Sequence, residues 1–454
     1  MRIAMIGTGY VGLVSGACFS EFGVSVTCVD KDADKIVRLQ RGEMPIFEPG
    51  LEQLVATNKA AGRLTFTTDL KVALDGAEAV FIAVGTPSRR GDGHADLSYV
   101  FAAAAEIAET LAELPDSRTV IVTKSTVPVG TGRRVERILQ RRLPKSAFDV
   151  ASNPEFLREG SAIQDFMRPD RVVIGTESEY ARTVLRALYR PLYLLETPVV
   201  FTTIETAELI KYAANAFLAT KVTFINQIAD LCEAVGADVQ DVAHGIGLDG
   251  RIGRKFLHAG PGFGGSCFPK DCAALVRTAA EAGQPLSLVE QVLDINDNRK
   301  RAMAERIAAA CGGDVAGKTI AVLGLTFKPN TDDMRESPSL SILPPLVEAG
   351  ATIRAFDPEG MDEAKKVMPG LDYCGDAYQA IEGADALVFL TEWNEFRALD
   401  LTRVKELLRA PVVIDLRNIY QPQEMAEAGL VYHSIGRSSG EPLAGRASAA
   451  LSLG

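Results

Sequence analysis

Apolar runs of five to seven residues punctuate the chain, each closed by a glycine, an acid or a polar turn. Residues 2–7, 24–30, 79–84, 119–124, 148–152 and 171–175 carry this pattern in the first part, and 171–175 is expected to be the last strand there. Near-continuous apolar runs mark strands that helices cover on both faces. Residues 13–22 read as a helix between the first two runs. The pattern changes at residue 203. From there to about residue 237 the sequence reads as one alanine-rich helix, roughly 50 Å long at about 1.5 Å per residue. It is apolar on more than one side, as expected of a helix that spans domains or packs against a twin. A further helix is expected at 286–310. Strand-like runs return at 318–324, 351–357, 386–390 and 411–415, with a helix at 340–349. The segments divide as 1–202, 203–312, 313–435 and a polar tail, 436–454, whose composition predicts disorder.

Composition narrows the partners more than the fold. The 454 residues are 47% hydrophobic and 24% charged, with a net charge of −11 and no basic block. Nucleic acid and anionic membrane surfaces are therefore not expected as partners, whereas an anionic small substrate remains compatible with local basic clusters. No apolar run approaches the ~18 residues of a membrane span, and no apolar leader precedes the first strand. The seven cysteines are scattered without a CxxC, and the four histidines show no ligand spacing. That predicts neither disulfides nor a metal site, and a reducing cytoplasm.

The first strand runs into Gly7-Thr-Gly-Tyr-Val-Gly12, and the second ends in Asp30. A glycine fingerprint between strand and helix, with an acid at the end of the next strand, predicts a Rossmann-type dinucleotide site. Gly7 would make the tight turn, Gly9 would admit the pyrophosphate, and Gly12 would let helix pack on strand. Asp30 would accept the adenosine ribose hydroxyls and repel a 2′-phosphate, which favours NAD over NADP. The fold class expected is α/β, with two Rossmann-like doubly wound domains joined by the long central helix and a helical dimerisation region. The second domain lacks the glycine fingerprint but carries cations at strand ends: Lys328, Arg335 and Arg417. A polar loop lies between Gly85 and Asp96 and is expected to be mobile or a lid.

Four glycines, Gly260, Gly262, Gly264 and Gly265, lead to Cys267, and Pro269 marks the first turn of a helix. A thiol just before a helix N-terminus, near Lys270, has the setting of a nucleophile; the alternative is an inert cysteine in a glycine turn. Glu155 and Glu159 are four apart, so a helix opened by Pro154 would put both on one face, catalytic or merely solvated. Lys211 and Asn215 share that spacing among apolar neighbours, where a lysine can act as base or oxyanion donor, or reach out to water. A covalent thiol is useless for oxidising an alcohol once. It is useful if an aldehyde must go on to an acid, through a thiohemiacetal and a thioester.

GTGYVG at 7–12, GTP at 85–87, STVPVG at 125–130, NPEFLREG at 153–160, the Lys211–Asn215 pair, GFGGSCFPKD at 262–271, FKPNTDDMRESPS at 327–339 and IDLRN at 414–418 together resemble the UDP-glucose/GDP-mannose dehydrogenase family over about residues 1–435. The resemblance implies four-electron oxidation of UDP-glucose to UDP-glucuronate with two NAD, and a homodimer or higher homo-oligomer. It implies Cys267 as nucleophile, Lys211 and Asn215 as stabilisers of the alkoxide and thiohemiacetal oxygen, and Asp271 as a base acting through water. Glu155 would activate the hydrolytic water with Thr126. NAD would meet Tyr10 and Val11 beside the glycines, Lys35 beside Asp30, Thr86, Thr126, Glu159, Lys270 and Arg335. The sugar nucleotide would meet Glu155, Phe156, Leu157, Arg158, Glu159, Lys211, Asn215, the loop Phe256, Leu257, His258, Ala259, Gly260 and Gly264, then Phe327, Lys328 and Arg417, with Arg251 from a partner subunit. Alternatives are another nucleotide sugar (GDP-mannose or a UDP-N-acetylhexosamine), a two-electron hydroxyacid dehydrogenase, and a non-catalytic NAD-binding protein.

Overall fold

Eight strands form the first sheet: β1 (Arg2–Ile6), β2 (Ser25–Val29), β3 (Leu64–Thr67), β4 (Ala79–Ile82), β5 (Thr119–Thr123), β6 (Phe148–Ser152), β7 (Val172–Gly175) and β8 (Val199–Thr202). Their order is β3-β2-β1-β4-β5-β6-β7-β8. The first six repeat the 3-2-1-4-5-6 arrangement of doubly wound dinucleotide-binding sheets. β6 meets β7 antiparallel, whereas the other pairs are parallel. The run at 171–175 is thus not the last strand, because β8 pairs beyond it. The apolar-run signal missed β3 and β8 for one reason. Both lie at sheet edges and are only partly covered, so neither needs a continuous apolar sequence. The central β4 and β5 are buried at every position.

The computed structural model describes residues 1–89, 93–114 and 118–437. It comprises two compact units, residues 1–214 with 273–285, and residues 215–272 with 286 onward. In the first unit, Phe19 is the hub of an aromatic cluster, with ring centroids 5.3 Å from Phe81, 4.8 Å from Phe166 and 5.4 Å from Tyr189. The long helix is Ile204–Val235, unbroken, and its residues up to Ala214 belong to the first unit.

The second unit carries six parallel strands: β9 (Thr319–Leu323), β10 (Thr352–Phe356), β11 (Asp372–Tyr373), β12 (Ala386–Phe389), β13 (Val412–Asp415) and β14 (Val431–Ser434). Their order, β11-β10-β9-β12-β13-β14, is 3-2-1-4-5-6 again. Ile225 and Ala229 of the long helix, and Met303 and Ile307 of the helix Ser287–Ala310, join Ile320, Val322 and Ile414 in one buried core. The expected tail starts later than 436. Val239 N–H donates to the Gly436 carbonyl at 2.9 Å, and Arg437 pairs with Asp238 at 2.9 Å. The rest of that tail, 438–454, lies outside the described residues, as does the tip of the expected lid, 90–92; the stem of that loop is closed by an antiparallel bridge, Ser88 to Ala95.

Candidate active site

β1 ends at the turn that opens the helix Tyr10–Glu21. Gly7 has φ +99°, and a Cβ there would lie 2.7 Å from the Ala83 carbonyl oxygen. A Cβ at Gly12 would lie 2.0 Å from the Gly7 oxygen. Gly9 differs: no side chain caps the helix there, and a Cβ would meet nothing within 4 Å. An open, uncapped helix N-terminus suits a pyrophosphate. Asp30 Oδ2 accepts from Thr8 N–H at 2.9 Å, Thr8 Oγ1 at 2.6 Å and Lys35 Nζ at 3.1 Å. Burial pushes this carboxyl up, but the Thr8, Asp32 and Lys35 hydrogen bonds prevail and bring it down to about 2. Thr86 Oγ1 donates to the Thr126 carbonyl at 3.0 Å, which places the two expected cofactor contacts side by side. The residues therefore fit a dinucleotide.

Glu155 and Glu159 do not share a helix face, because residues 153–158 belong to no helix and the next helix starts only at Ala162. Distant groups hold this segment. Asn153 Nδ2 donates to the Val173 carbonyl at 2.8 Å, and its Oδ1 accepts from Tyr189 Oη at 2.5 Å and Lys124 Nζ at 3.2 Å. Glu155 accepts its own loop's Leu157 N–H at 2.5 Å. Its other oxygen is 3.2 Å from Lys211 Nζ, with both side chains at or below 5% exposure. The Phe156 ring lies 3.6 Å from the Arg171 guanidinium and 5.3 Å from Lys211 Nζ. Arg158 turns away to Asp165 at 2.6 Å.

Sequence reasoning missed Glu48 and Lys124. Glu48, buried, accepts from Gly160 N–H at 2.6 Å and Ala162 N–H at 2.7 Å, and from the Tyr10 hydroxyl. It thereby ties the end of the Glu155–Glu159 loop to the helix after the glycine turn. A glutamate before Pro-Gly carries no local signal of that role. Lys124, closing an otherwise apolar strand, was a signal that could have been read.

In the second unit, Cys267 immediately precedes the helix Phe268–Glu281, and its carbonyl accepts the first-turn bond from Asp271 N–H at 2.8 Å. The thiol is partly exposed, with Sγ 3.6 Å from Ser266 Oγ. Asp271 is buried, accepting Lys270 Nζ at 2.7 Å on one oxygen and Asn215 Nδ2 at 2.7 Å on the other. The Lys270 charge thus pairs with Asp271. The glycines of this turn face protein: a Cβ at Gly262 would lie 2.9 Å from Lys300 Cγ, one at Gly264 2.1 Å from the Glu336 carbonyl oxygen, and one at Gly265 2.6 Å from the Phe327 ring. Arg417 donates to the Phe327 carbonyl at 3.1 Å and the Leu390 carbonyl at 2.9 Å, and pairs with Glu392 at 3.1 Å. Its guanidinium would lie 3.4 Å from a Cβ at Gly260, so Gly260, Phe327 and Arg417 form one group. Lys328 Nζ lies 5.2 Å from the Phe327 ring centroid. Phe256 adopts φ +66°, Leu257 and Ala259 are buried, and His258 between them is exposed. Two arginines have exposed side chains paired with aspartates two residues away, Arg335 with Asp333 at 2.8 Å and Arg251 with Asp249 at 2.6 Å.

A 3-2-1-4-5-6 sheet with an open glycine turn and an acid closing its second strand defines a Rossmann-type dinucleotide-binding domain, the cofactor module of NAD-dependent dehydrogenases. The chain belongs to the UDP-glucose/GDP-mannose dehydrogenase family: its NAD binding domain matches residues 1–193, its central domain 205–298 and its UDP binding domain 321–422. The chain is 63% identical to the UDP-glucose 6-dehydrogenase of Rhizobium meliloti (strain 1021) over 96% of this chain and 100% of that one. It is 51% identical to UDP-glucose 6-dehydrogenase TuaD of Bacillus subtilis (strain 168), over 96% and 93% respectively. A UDP-glucose dehydrogenase structure from Pyrobaculum islandicum superposes with a TM-score of 0.88 at 37% identity, covering 96% of this chain and 98% of that one.

Proposed function

We propose that this chain oxidises the primary alcohol of UDP-glucose to the carboxylate of UDP-glucuronate, using Cys267 as a covalent nucleophile. What carries the reading is Cys267 at a helix N-terminus, in the same unit as a buried Asn215–Asp271 pair 2.7 Å apart. NAD would supply the hydride acceptor, one molecule for each of the two hydrides. Asp271, through water, takes the alcohol proton as the first hydride leaves. The Cys267 thiolate then adds to the aldehyde carbon. Lys211 and Asn215, one turn apart on an unbroken helix, hold the resulting oxygen. Departure of the second hydride leaves a thioester. Glu155, with Thr126, directs water onto the thioester carbon; the C–S bond breaks and the thiolate is restored. Asp30, Lys35 and the glycine turn hold the dinucleotide, while Phe327, Lys328, Arg417 and the 256–264 loop hold the sugar nucleotide. The test is NADH formed per limiting UDP-glucose with excess NAD at neutral pH. Two are expected. One would leave Cys267 without its role, and none, with turnover on GDP-mannose or a UDP-N-acetylhexosamine, would change the substrate.

The same reading includes a homodimer or a higher homo-oligomer. Phe217, Phe224 and Leu231 recur every seven residues on the long helix and are 66%, 51% and 54% exposed. Seven residues are nearly two turns, so they form one apolar seam suited to a twin helix. All seven cysteines are free, which supports a reducing cytoplasm. No helix among the described residues is long and apolar enough to cross a membrane.

A further inference from the structure

The turn that leads to Cys267 is buried from Ala259 through Gly265, yet it belongs to no helix or strand. Buried irregular backbone must find hydrogen-bond partners. Here side chains from two helices supply them. Asn226, on the long helix, accepts Gly260 N–H through Oδ1 at 2.8 Å. Arg299, on the helix Ser287–Ala310, donates from Nε to the Gly260 carbonyl at 2.7 Å. Asn296, one turn earlier, accepts Phe263 N–H at 2.8 Å and donates to the Phe263 carbonyl at 3.0 Å. Arg299 is fixed in turn by Asp230 at 2.8 Å and the Asn226 carbonyl at 3.2 Å. Asn226, Asn296 and Arg299 are all buried. Beyond Phe263 little slack remains before the thiol: Gly264 abuts the Glu336 carbonyl, and Gly265 N–H donates to the Arg335 carbonyl at 2.9 Å.

We propose that Asn296 and Arg299 are positioning residues that set where the Cys267 thiol stands, and so govern the second oxidation selectively. The inference rests on the covalent thiol reading given above. The first hydride transfer, alcohol to aldehyde, forms no bond to sulfur. The second requires a C–S bond, and misplacement of a reacting atom by about 1 Å costs on the order of 100-fold. Loosening the turn therefore slows thiohemiacetal formation while the first step proceeds, and the aldehyde escapes. A turn that served only general stability would slow both steps together.

Two near-isosteric variants test this. Asn296→Asp keeps the acceptor for Phe263 N–H but sets a carboxylate against the Phe263 carbonyl. Arg299→Lys keeps the charge near Asp230 but loses the fork that reaches Gly260 and Asp230 together. Each is assayed with UDP-glucose, excess NAD and a hydrazide that traps free aldehyde, scoring NADH, trapped aldehyde and UDP-glucuronate. Wild type should give two NADH per acid and no trapped aldehyde. The variants should trap aldehyde, give more than two NADH per acid, and lose roughly 10- to 100-fold in the rate of acid formation at saturating UDP-glucose. Variants that hold two NADH per acid without aldehyde overturn the proposal, and so do two variants that both fail to fold. A wild-type enzyme that does not yield two NADH per acid overturns the thiol reading instead.

Discussion

Lys124 carries a titratable charge in a fully buried setting, which makes its contribution measurable. Its Nζ lies 3.2 Å from Asn153 Oδ1, 3.3 Å from the Asn153 carbonyl and 3.4 Å from Tyr189 Oη. Burial pushes the ammonium down to about 8; Glu155 pulls it back up and Lys211 pushes it further down. The unfolded chain releases this proton near 10.5, so between about pH 8 and 10.5 the unfolded chain holds a proton that the folded one has lost. Stability accordingly carries a penalty below pH 8 that is relieved as pH rises towards 10.5. The displacement from 10.5 to about 8 corresponds to roughly 3 kcal/mol. Lys124→Met removes this titration. The unfolding free energy of wild type minus that of the variant should rise by about that amount between pH 7 and 10.5. Urea unfolding at a series of pH values, followed by circular dichroism, measures the gap. The single tryptophan, Trp393, lies in the other unit, and its fluorescence reports that unit's transition separately. A gap that stays constant with pH would show that the buried ammonium titrates as an ordinary lysine and would refute the argument.

Cys267→Ser should stall at the aldehyde, with one NADH per UDP-glucose; sustained acid formation by this variant would remove the covalent step. Glu155→Gln breaks the buried ion pair with Lys211, and breaking such a pair typically costs about 3–5 kcal/mol, so the urea midpoint should drop markedly and recover in part when Lys211→Met is added. An additive double variant would show that the pair is not coupled. Lys328→Ala should raise KM for the nucleotide sugar roughly 10- to 100-fold with kcat little changed, as expected for a lost charge-assisted contact made in ground and transition states alike. An unchanged KM would take Lys328 out of the binding site.

The parts of the site that were legible in the sequence are those where backbone geometry dictates the residue type. A turn at φ +99° packed against the Ala83 carbonyl requires glycine at position 7, and position 264 admits no Cβ, which would lie 2.1 Å from the Glu336 oxygen. The acid at position 30 was legible because the strand fixes its distance from that turn. Illegible features depend on partners remote in the chain. The Glu155–Glu159 spacing suits one face of a helix if Pro154 opens one, but Asn153 is held by Val173 and Tyr189, and that anchorage overrides local preference. Glu48, Asn226, Asn296 and Arg299 are ordinary helix and turn residues by type, and their roles appear only once the loops they hold are folded over them. Edge strands β3 and β8 escaped because solvent on one side removes the demand for an apolar run.

The two sheets repeat one topology, and the comparison explains why only the first needs the dinucleotide fingerprint. Gly7 N–H donates to Val29 at the end of β2, and Gly324 N–H donates to Phe356 at the end of β10, at 2.8 and 2.9 Å. Both glycines have positive φ, +99° and +93°. The acid that follows is Asp30 in one case and Asp357 in the other. Asp30 accepts from one backbone amide of the glycine turn, and its side chain remains 18% exposed, so ribose hydroxyls have a carboxylate edge to approach. Asp357 is sealed: Leu325 N–H, Thr326 N–H, Thr326 Oγ1 and Trp393 Nε1 converge on one oxygen, and Gly360 N–H, at 2.7 Å, takes the other. Gly9, open to space, has its counterpart in Thr326, which is buried and spends its hydroxyl on Asp357 and the Lys328 carbonyl. A second dinucleotide could not reach that acid without displacing Trp393. On the function proposed above, recognition in the second unit falls to the loops beyond the strand ends, where Phe327, Arg417 and Gly260 meet and Lys328 follows, and the buried acid serves to hold those loops in place.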